Sequence, residues 1–178
     1  ATLGSTLLAH GLSYDDQEPG MALDLQAMNE DAAIPTGLTI EPVVDDPALR
    51  RWVAVWAFDA SESARAQLQH VFGALGADPR NPWRFYLGRL NGEPVATVKL
   101  FYHAGVVSVQ HVVTLPHARR RGISTAITVH ALRQARDQGY RVAMLTASPH
   151  GLGNYRRIGF QEFCTFRWYR WRPETGAT

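Results

Sequence analysis

Residues 110–124 read Gln110-His111-Val112-Val113-Thr114-Leu115-Pro116-His117-Ala118-Arg119-Arg120-Arg121-Gly122-Ile123-Ser124. The first part is rich in β-branched residues and closes a strand predicted over Val106 to Leu115. Pro116 breaks that run, and three arginines lead into Gly122. Behind it Ile123, Ala126, Ile127, His130, Ala131 and Ala135 recur at three-and-four spacing. That is the inner face of a helix over about Gly122 to Gln138, with Gly139 as its stop. A helix start offers unpaired backbone N–H groups and the positive end of a dipole. Gly122 removes the side chain where a bulky anion would approach, and the arginines add charge at the rim. Together these make a phosphate cradle. The Gly-Lys-Ser/Thr ending of a Walker loop is missing, and so are the three spaced glycines of a dinucleotide fingerprint. On its own the segment also fits a solvated basic turn capping a helix.

Outward from this stretch the chain alternates strands and helices. Upstream, Trp83 to Leu90 and Pro94 to Tyr102 flank Asn91-Gly92, the pair best suited to a tight primed turn, so a hairpin is predicted. Leu38 to Val44 reads as a strand that Pro42 assigns to a sheet edge. Asp46 is the expected cap of a helix with Pro47 at its first position, carrying Leu49, Trp52, Val53, Trp56 and Ala57 on one face. Ser61 or Ser63 caps a second helix ending near Gly73 or Gly76. Downstream come a buried strand (Arg141 to Thr146), a short helix (Pro149 to Arg157) and a final strand (Phe163 to Trp171). Ahead of all this, Leu3 to His10 reads as a helix, Met21 to Leu25 as a short strand, and Asn29 to Gly37 as a linker. Such an order implies an α/β (α+β) fold with a mixed sheet.

The chain has 178 residues, 46% of them hydrophobic and 19% charged, with a net charge of +2. One ordinary core is within reach without disulfides or metals, and the charge is too small to argue for nucleic acid by itself. Lys99 is the only lysine. Nearly all the positive charge is therefore arginine, whose rigid fork of donors suits phosphates and carboxylates. The single cysteine, Cys164, excludes an internal disulfide framework and is expected to be buried in its aromatic strand. The histidines show no close ligand pairing, so no metal site is expected. Arginines interleaved with aromatics in the final stretch also occur in single-strand nucleic-acid binders, but a sheet strand with one apolar face accounts for them. With no apolar run of membrane-span length and no signal-peptide pattern, a cytoplasmic protein is expected, with no membrane partner.

From Gln110 to its C-terminal strand the chain resembles the GNAT N-acetyltransferase superfamily. The features that carry the resemblance are the strand Gln110–Pro116, the loop Arg119-x-x-Gly122-x-Ser124, the helix behind it, the strand Arg141–Thr146, and Tyr155-Arg156-Arg157-Ile158-Gly159-Phe160, and it extends over about Leu38 to Trp171. It implies a mixed, mostly antiparallel sheet flanked by helices, and acetyl-CoA as acyl-donor cosubstrate. Backbone groups of Val112, Val113 and Thr114 would pair with the pantetheine arm, the Val113 N–H polarising the thioester carbonyl. Arg119, Arg120, Arg121, Gly122, Ile123 and Ser124 would hold the pyrophosphate, and Ser148 stands where many members carry a cofactor-contacting Asn. Tyr155 matches the tyrosine that protonates the departing thiolate, and a phenol keeps its proton at neutral pH.

The strand before the loop holds no Glu or Asp to act as base. His111 is the nearest candidate, with a water relay beside it. Phe58, in the turn that borders the acceptor pocket of such proteins, is the expected substrate contact. The implied activity is transfer of an acetyl group to an amine of a small molecule or amino acid by direct attack. A non-catalytic acyl-CoA-binding domain is the alternative. Residues 1–37 have no counterpart in a minimal domain of this family and are expected to be the tail of a preceding region plus a linker, with the acetyltransferase domain over 38–178. The strand at Met21–Leu25 then needs a partner, either in a preceding region or on a second subunit, and a homo-oligomer is one way to supply it.

Overall fold

The computed structural model describes residues 2–75 and 81–172. In chain order the elements are α1 (Leu3–Ala9), β1 (Ser13–Asp24), β2 (Leu38–Pro42), α2 (Asp46–Trp56), α3 (Glu62–Leu75), β3 (Trp83–Leu90), β4 (Glu93–His103), β5 (Val106–Thr114), α4 (Ile123–Asp137), β6 (Val142–Thr146), α5 (Leu152–Ile158) and β7 (Gln161–Arg170). Seven strands form one sheet in the order β2-β3-β4-β5-β6-β1-β7. Only β5 and β6 pair in parallel; the other neighbours are antiparallel. The mixed, mostly antiparallel sheet read from the sequence is therefore present, with helices on its faces.

Local chemistry explains most of the elements. Asn91 and Gly92 both take positive φ, +51° and +86°, as the tight turn between β3 and β4 requires. Pro42 lies on β2, the sheet edge, where no ladder N–H is missed. The α2 cap is Asp45, one residue earlier than expected. Pro47 in the first turn has no N–H to offer, and the Asp45 carboxylate accepts from Ala48 N at 2.7 Å. Ser61 caps α3, its Oγ accepting from Ala64 N at 3.3 Å. Of the two helix ends expected from the sequence, Gly73 lies inside α3 and Gly76 lies outside the described residues.

Two hydrophobic cores lie on opposite faces of the sheet. The larger gathers Ile123, Ile127, Leu132 and other α4 residues against Leu100, Val107, Ala143 and Leu145. The smaller sets Trp52 and Val53 of α2 and Phe72 of α3 against Phe85 and Leu87. Trp52 is fully buried, and its indole N–H donates to Val98 O at 3.4 Å.

The N-terminal segment departs from expectation. The strand read at Met21–Leu25 is the end of the twelve-residue β1, inserted between β6 and β7. Its partners are thus in this chain: Ala22 lies opposite Met144 on one side and Gln161 on the other. Residues 13–19 are mostly polar, and their strand character comes from pairing with β7 rather than from an apolar alternation of their own. The final strand is exposed along nearly its whole length, and Cys164 with it, contrary to the buried cysteine expected. No helix among the described residues is long and apolar enough to cross a membrane.

Candidate active site

A groove opens where β5 and β6 part. The two strands pair from Val106–Val142 to Ser108–Met144, yet β5 continues to Thr114. A bulge lies just beyond the last pair. Between Thr97 and Lys99 the β4–β5 register slips by one residue, and His111 takes a positive φ of +52°. The Thr97 hydroxyl pins the distortion by donating to His111 O at 3.0 Å.

Beyond the bulge the direction of each backbone group follows from one bond. Leu115 N donates to Val95 O at 2.9 Å. Groups of an antiparallel ladder alternate, so the Val113 N–H also points to β4, and that of Thr114 faces the gap. The Val113 N–H, expected to polarise the thioester carbonyl, is therefore turned to β4 and not to the groove. The Thr114 carbonyl accepts from Arg119 Nε at 3.0 Å, while its buried hydroxyl has no partner among the described residues.

The groove holds ≈ 840 Å³. Of the residues read from the sequence, Val112, Val113, Thr114, Arg119, Arg120, Gly122, Ile123, Ser124, Ser148, Tyr155 and Phe58 line it; Arg121 and His111 do not. Sequence reasoning missed Asn154, His150 and Arg157, which also line it. Among the described residues the lining thus carries three arginines and a histidine but no carboxylate, a composition made for an anion.

At one end lies the start of α4. Gly122 is its N-cap residue, at φ +77°, and no side chain caps the helix. The first N–H groups of the helix are left for a ligand. A Cβ on Gly122 would meet only Pro35 Cγ, at 3.9 Å, so the approach is open. Ser124, where the family has a smaller residue, does not crowd the cradle: its hydroxyl accepts from Asn154 Nδ2 at 3.2 Å. The Asn154 carbonyl in turn takes the Thr125 hydroxyl, which ties α5 to the α4 start. That tie signals why Asn154 matters, and no local motif announces it. At the rim, Arg119 Cζ lies 6.0 Å from the centre of the Phe58 ring.

Tyr155 stands on α5 and is 9% exposed. Its ring fits against Gly151, where a Cβ would come within 2.8 Å of Cε2, and edge-on to Phe160 at 5.8 Å. Burial, with the Glu18 charge adding to it, pushes its phenol up to about 12. The phenol is therefore a proton holder throughout the neutral range.

His111 sits outside the groove in an aromatic stack. Its ring lies 4.3 Å from that of Trp56 at 26°, with Trp52 and Phe72 both at 6.0 Å. Its Nδ1 is buried and has no partner among the described residues. Burial, and then the Lys99 ammonium, bring the imidazole down to about 4. Lys99, 4% exposed, holds its Nζ 4.2 Å from the Trp83 ring and is itself brought down to about 8 by burial. A histidine this acidic is a weak base at neutral pH, contrary to the catalytic role expected for it.

A stability effect follows with a definite sign. The unfolded imidazole titrates near 6.5 and the folded one near 4, so the unfolded state binds the extra proton between those values. The contribution of His111 is complete above about pH 6.5 and is lost as pH falls towards 4. Urea unfolding from pH 7 to pH 4.5 should show this loss, and His111→Asn, which tolerates the positive φ, should flatten the slope in that window. An unchanged slope would mean that the ring is solvated.

The acetyltransferase (GNAT) family model matches residues 47–160. Among solved structures, the chain is similar to a GCN5-related N-acetyltransferase from Kribbella flavida, at 27% identity and a TM-score of 0.68, over 92% of this chain and 61% of that one. A GCN5-related N-acetyltransferase from Sphaerobacter thermophilus has the same fold at 22% identity and a TM-score of 0.67, over 93% and 54%. So does a tandem GNAT protein from the clavulanic acid biosynthesis pathway, at 15% identity and a TM-score of 0.67, over 93% and 56%. The chain spans less than two thirds of the length of each of these proteins. No curated protein matches the sequence. With well over half of its residues covered by the family model, the chain belongs to the acetyltransferase (GNAT) family, whose members transfer acyl groups from acyl-CoA.

Proposed function

We propose that the chain is an N-acetyltransferase that moves an acetyl group from acetyl-CoA to an amine of a small molecule or amino acid by direct attack. The observation that carries this reading is the parting of β5 from β6, which turns the backbone of Thr114 into a groove that runs to the bare start of α4. An extended pantetheine arm with a pyrophosphate at one end has the complementary shape and charge: strand-like amides for β5, an anion for the helix start and arginines. The unpartnered Thr114 hydroxyl and the open approach at Gly122 fit the same ligand.

In this reading a backbone N–H of β5 on the gap side steadies the negative charge that grows on the thioester oxygen. The acceptor nitrogen forms the new C–N bond as the C–S bond breaks, and its surplus proton leaves to water, since no carboxylate among the described residues lines the groove. Tyr155 gives its phenolic proton to the departing sulfur and regains one from solvent. Cys164, the single cysteine, stands on β7 and does not line the groove, so a cysteine-bound acyl intermediate has no place here. Phe58 borders the acceptor end.

Calorimetric titration with acetyl-CoA tests the reading at its base. One site per chain is expected, followed by amine-dependent release of free thiol across a panel of small amines and amino acids. A folded protein that takes up no acetyl-CoA would overturn the assignment. Binding without thiol release for any acceptor would leave an acyl-CoA-binding domain as the better account.

A further inference from the structure

The inserted strand β1 brings a carboxylate to the end of the gap between β5 and β6. Ala147 N, one residue past β6, donates to Pro19 O at 3.1 Å, and Gly20 lies opposite Thr146. The same register sets Glu18 level with Ser148, which lines the groove. The direction of the Glu18 side chain follows from the period of the strand. Met21 and Leu23 are buried in the larger core with Tyr155, Ile158 and Phe160, so Glu18 and Gly20 take the opposite face of the sheet. Phe166, the partner of Glu18 on β7, lies on that face too: a Cβ on Gly20 would come within 2.6 Å of its Cε2. The absence of a side chain at Gly20 lets this ring lie inward over β1.

The two faces thus bring different groups to the same gap. Tyr155 reaches the groove from the α5 face, 9% exposed and with no hydrogen bond from its phenol among the described residues. Glu18 stands on the other face, half-buried, and its carboxylate has no ion pair or hydrogen bond among the described residues. It is near enough for its charge to act on the phenol. Phe58, in the loop between the two helices of that face, lines the groove as well. The arginines at the start of α4 suit an anion, whereas this end offers a free carboxylate beside a ring, which suits a cation.

We propose that Glu18 selects the acceptor: its carboxylate receives the ammonium group of an incoming amine against the Phe166 ring, on the sheet face opposite Tyr155, and repels amines that carry a carboxylate beside the nitrogen. Resting on the proposed acetyl transfer, this assignment narrows the acceptor to aliphatic amines without an adjacent carboxylate. An ammonium between a carboxylate and an aromatic face is held by both. An α-amino acid in the same place brings its own carboxylate close to Glu18, and the two like charges repel. The proton donor for the departing sulfur occupies one face, which leaves the other for the amine. The held ammonium gives its surplus proton to water before the nitrogen attacks.

Steady-state thiol release with three acceptors tests this: pentylamine, norleucine (the same chain with a carboxylate beside the nitrogen) and aniline, which is uncharged at neutral pH. The parent should use pentylamine with a kcat/KM roughly tenfold or more above that for norleucine. Glu18→Gln should raise KM for pentylamine about tenfold, with a much smaller change in kcat, and should narrow the gap to norleucine. Its KM for aniline, its acetyl-CoA affinity and its thermal melt should stay close to those of the parent, and Glu18→Asp should recover part of the pentylamine KM. Phe166→Leu should raise that KM about threefold. A parent that takes norleucine as well as pentylamine, or a Glu18→Gln variant with an unchanged pentylamine KM, would overturn the assignment. So would an equal loss for pentylamine and aniline, which would make Glu18 a support for Tyr155 instead. These outcomes leave the proposed acetyl transfer standing. A folded chain that binds acetyl-CoA and transfers to none of the three would overturn the transfer and the role of Glu18 together.

Discussion

Replacing Gly122 with aspartate should weaken acetyl-CoA binding by roughly 30- to 1000-fold while leaving the protein folded. The size follows from placing a carboxylate at the start of α4, where the proposed pyrophosphate would sit. Two unit charges about 4 Å apart at a protein surface repel by about 4 kcal/mol, and salt reduces this towards half. The fold should tolerate the change. A Cβ at this position meets nothing closer than Pro35 Cγ at 3.9 Å. The φ of +77° costs a side chain on the order of 1 kcal/mol. Gly122→Ala separates the two effects: it carries the strain without the charge and should bind within about threefold of the parent. Calorimetry beside a thermal melt reads both quantities. If Gly122→Asp binds like the parent, the anion does not sit at the α4 start, and the proposed function loses its main donor site.

What could be read from the sequence and what could not divides along a physical line. Elements written in local chemistry were legible. Asn91-Gly92 demanded the turn it makes, Pro42 demanded an edge, and the three-and-four spacing behind Gly122 demanded the buried face of α4. The place of Gly122 was legible, because a glycine between a strand and an apolar-periodic run marks the helix start that it occupies.

Features that depend on where distant segments meet were not. The bulge at His111 shifts the register by one, and only the bond from Leu115 N to Val95 O shows that Val113 turns its N–H to β4 and not to the groove. His111 has the residue type of a base. Trp56, Trp52 and Phe72, contributed by two helices, turn it into a neutral member of a stack. Arg121 is as basic as its neighbours but does not line the groove, a matter of loop direction that composition does not encode. The acidic stretch before Met21 gave no strand signal, since the partner that makes it a strand lies some 150 residues later, in β7.

Tyr155→Phe is the sharpest test of the chemical step, because it removes one proton donor and little else. The ring keeps its seat against Gly151 and Phe160, so acetyl-CoA affinity should stay within about threefold. Loss of a positioned general acid should lower kcat by about 10²- to 10⁴-fold. The pH dependence separates this role from a structural one. Burial and the Glu18 charge hold the phenol up to about 12, whereas the unfolded phenol titrates near 10. Through the range where assays run, Tyr155 therefore stays protonated, and its loss should depress the whole rate profile without moving its limbs. Stability has the opposite signature. Between about pH 10 and 12 the unfolded state sheds the proton first, so this contribution is intact below pH 10 and is lost as pH rises through 12. Tyr155→Phe should flatten that alkaline slope in urea unfolding. A variant that keeps full kcat would show that solvent protonates the thiolate. A variant that loses acetyl-CoA binding together with kcat would make Tyr155 a wall of the groove rather than its acid.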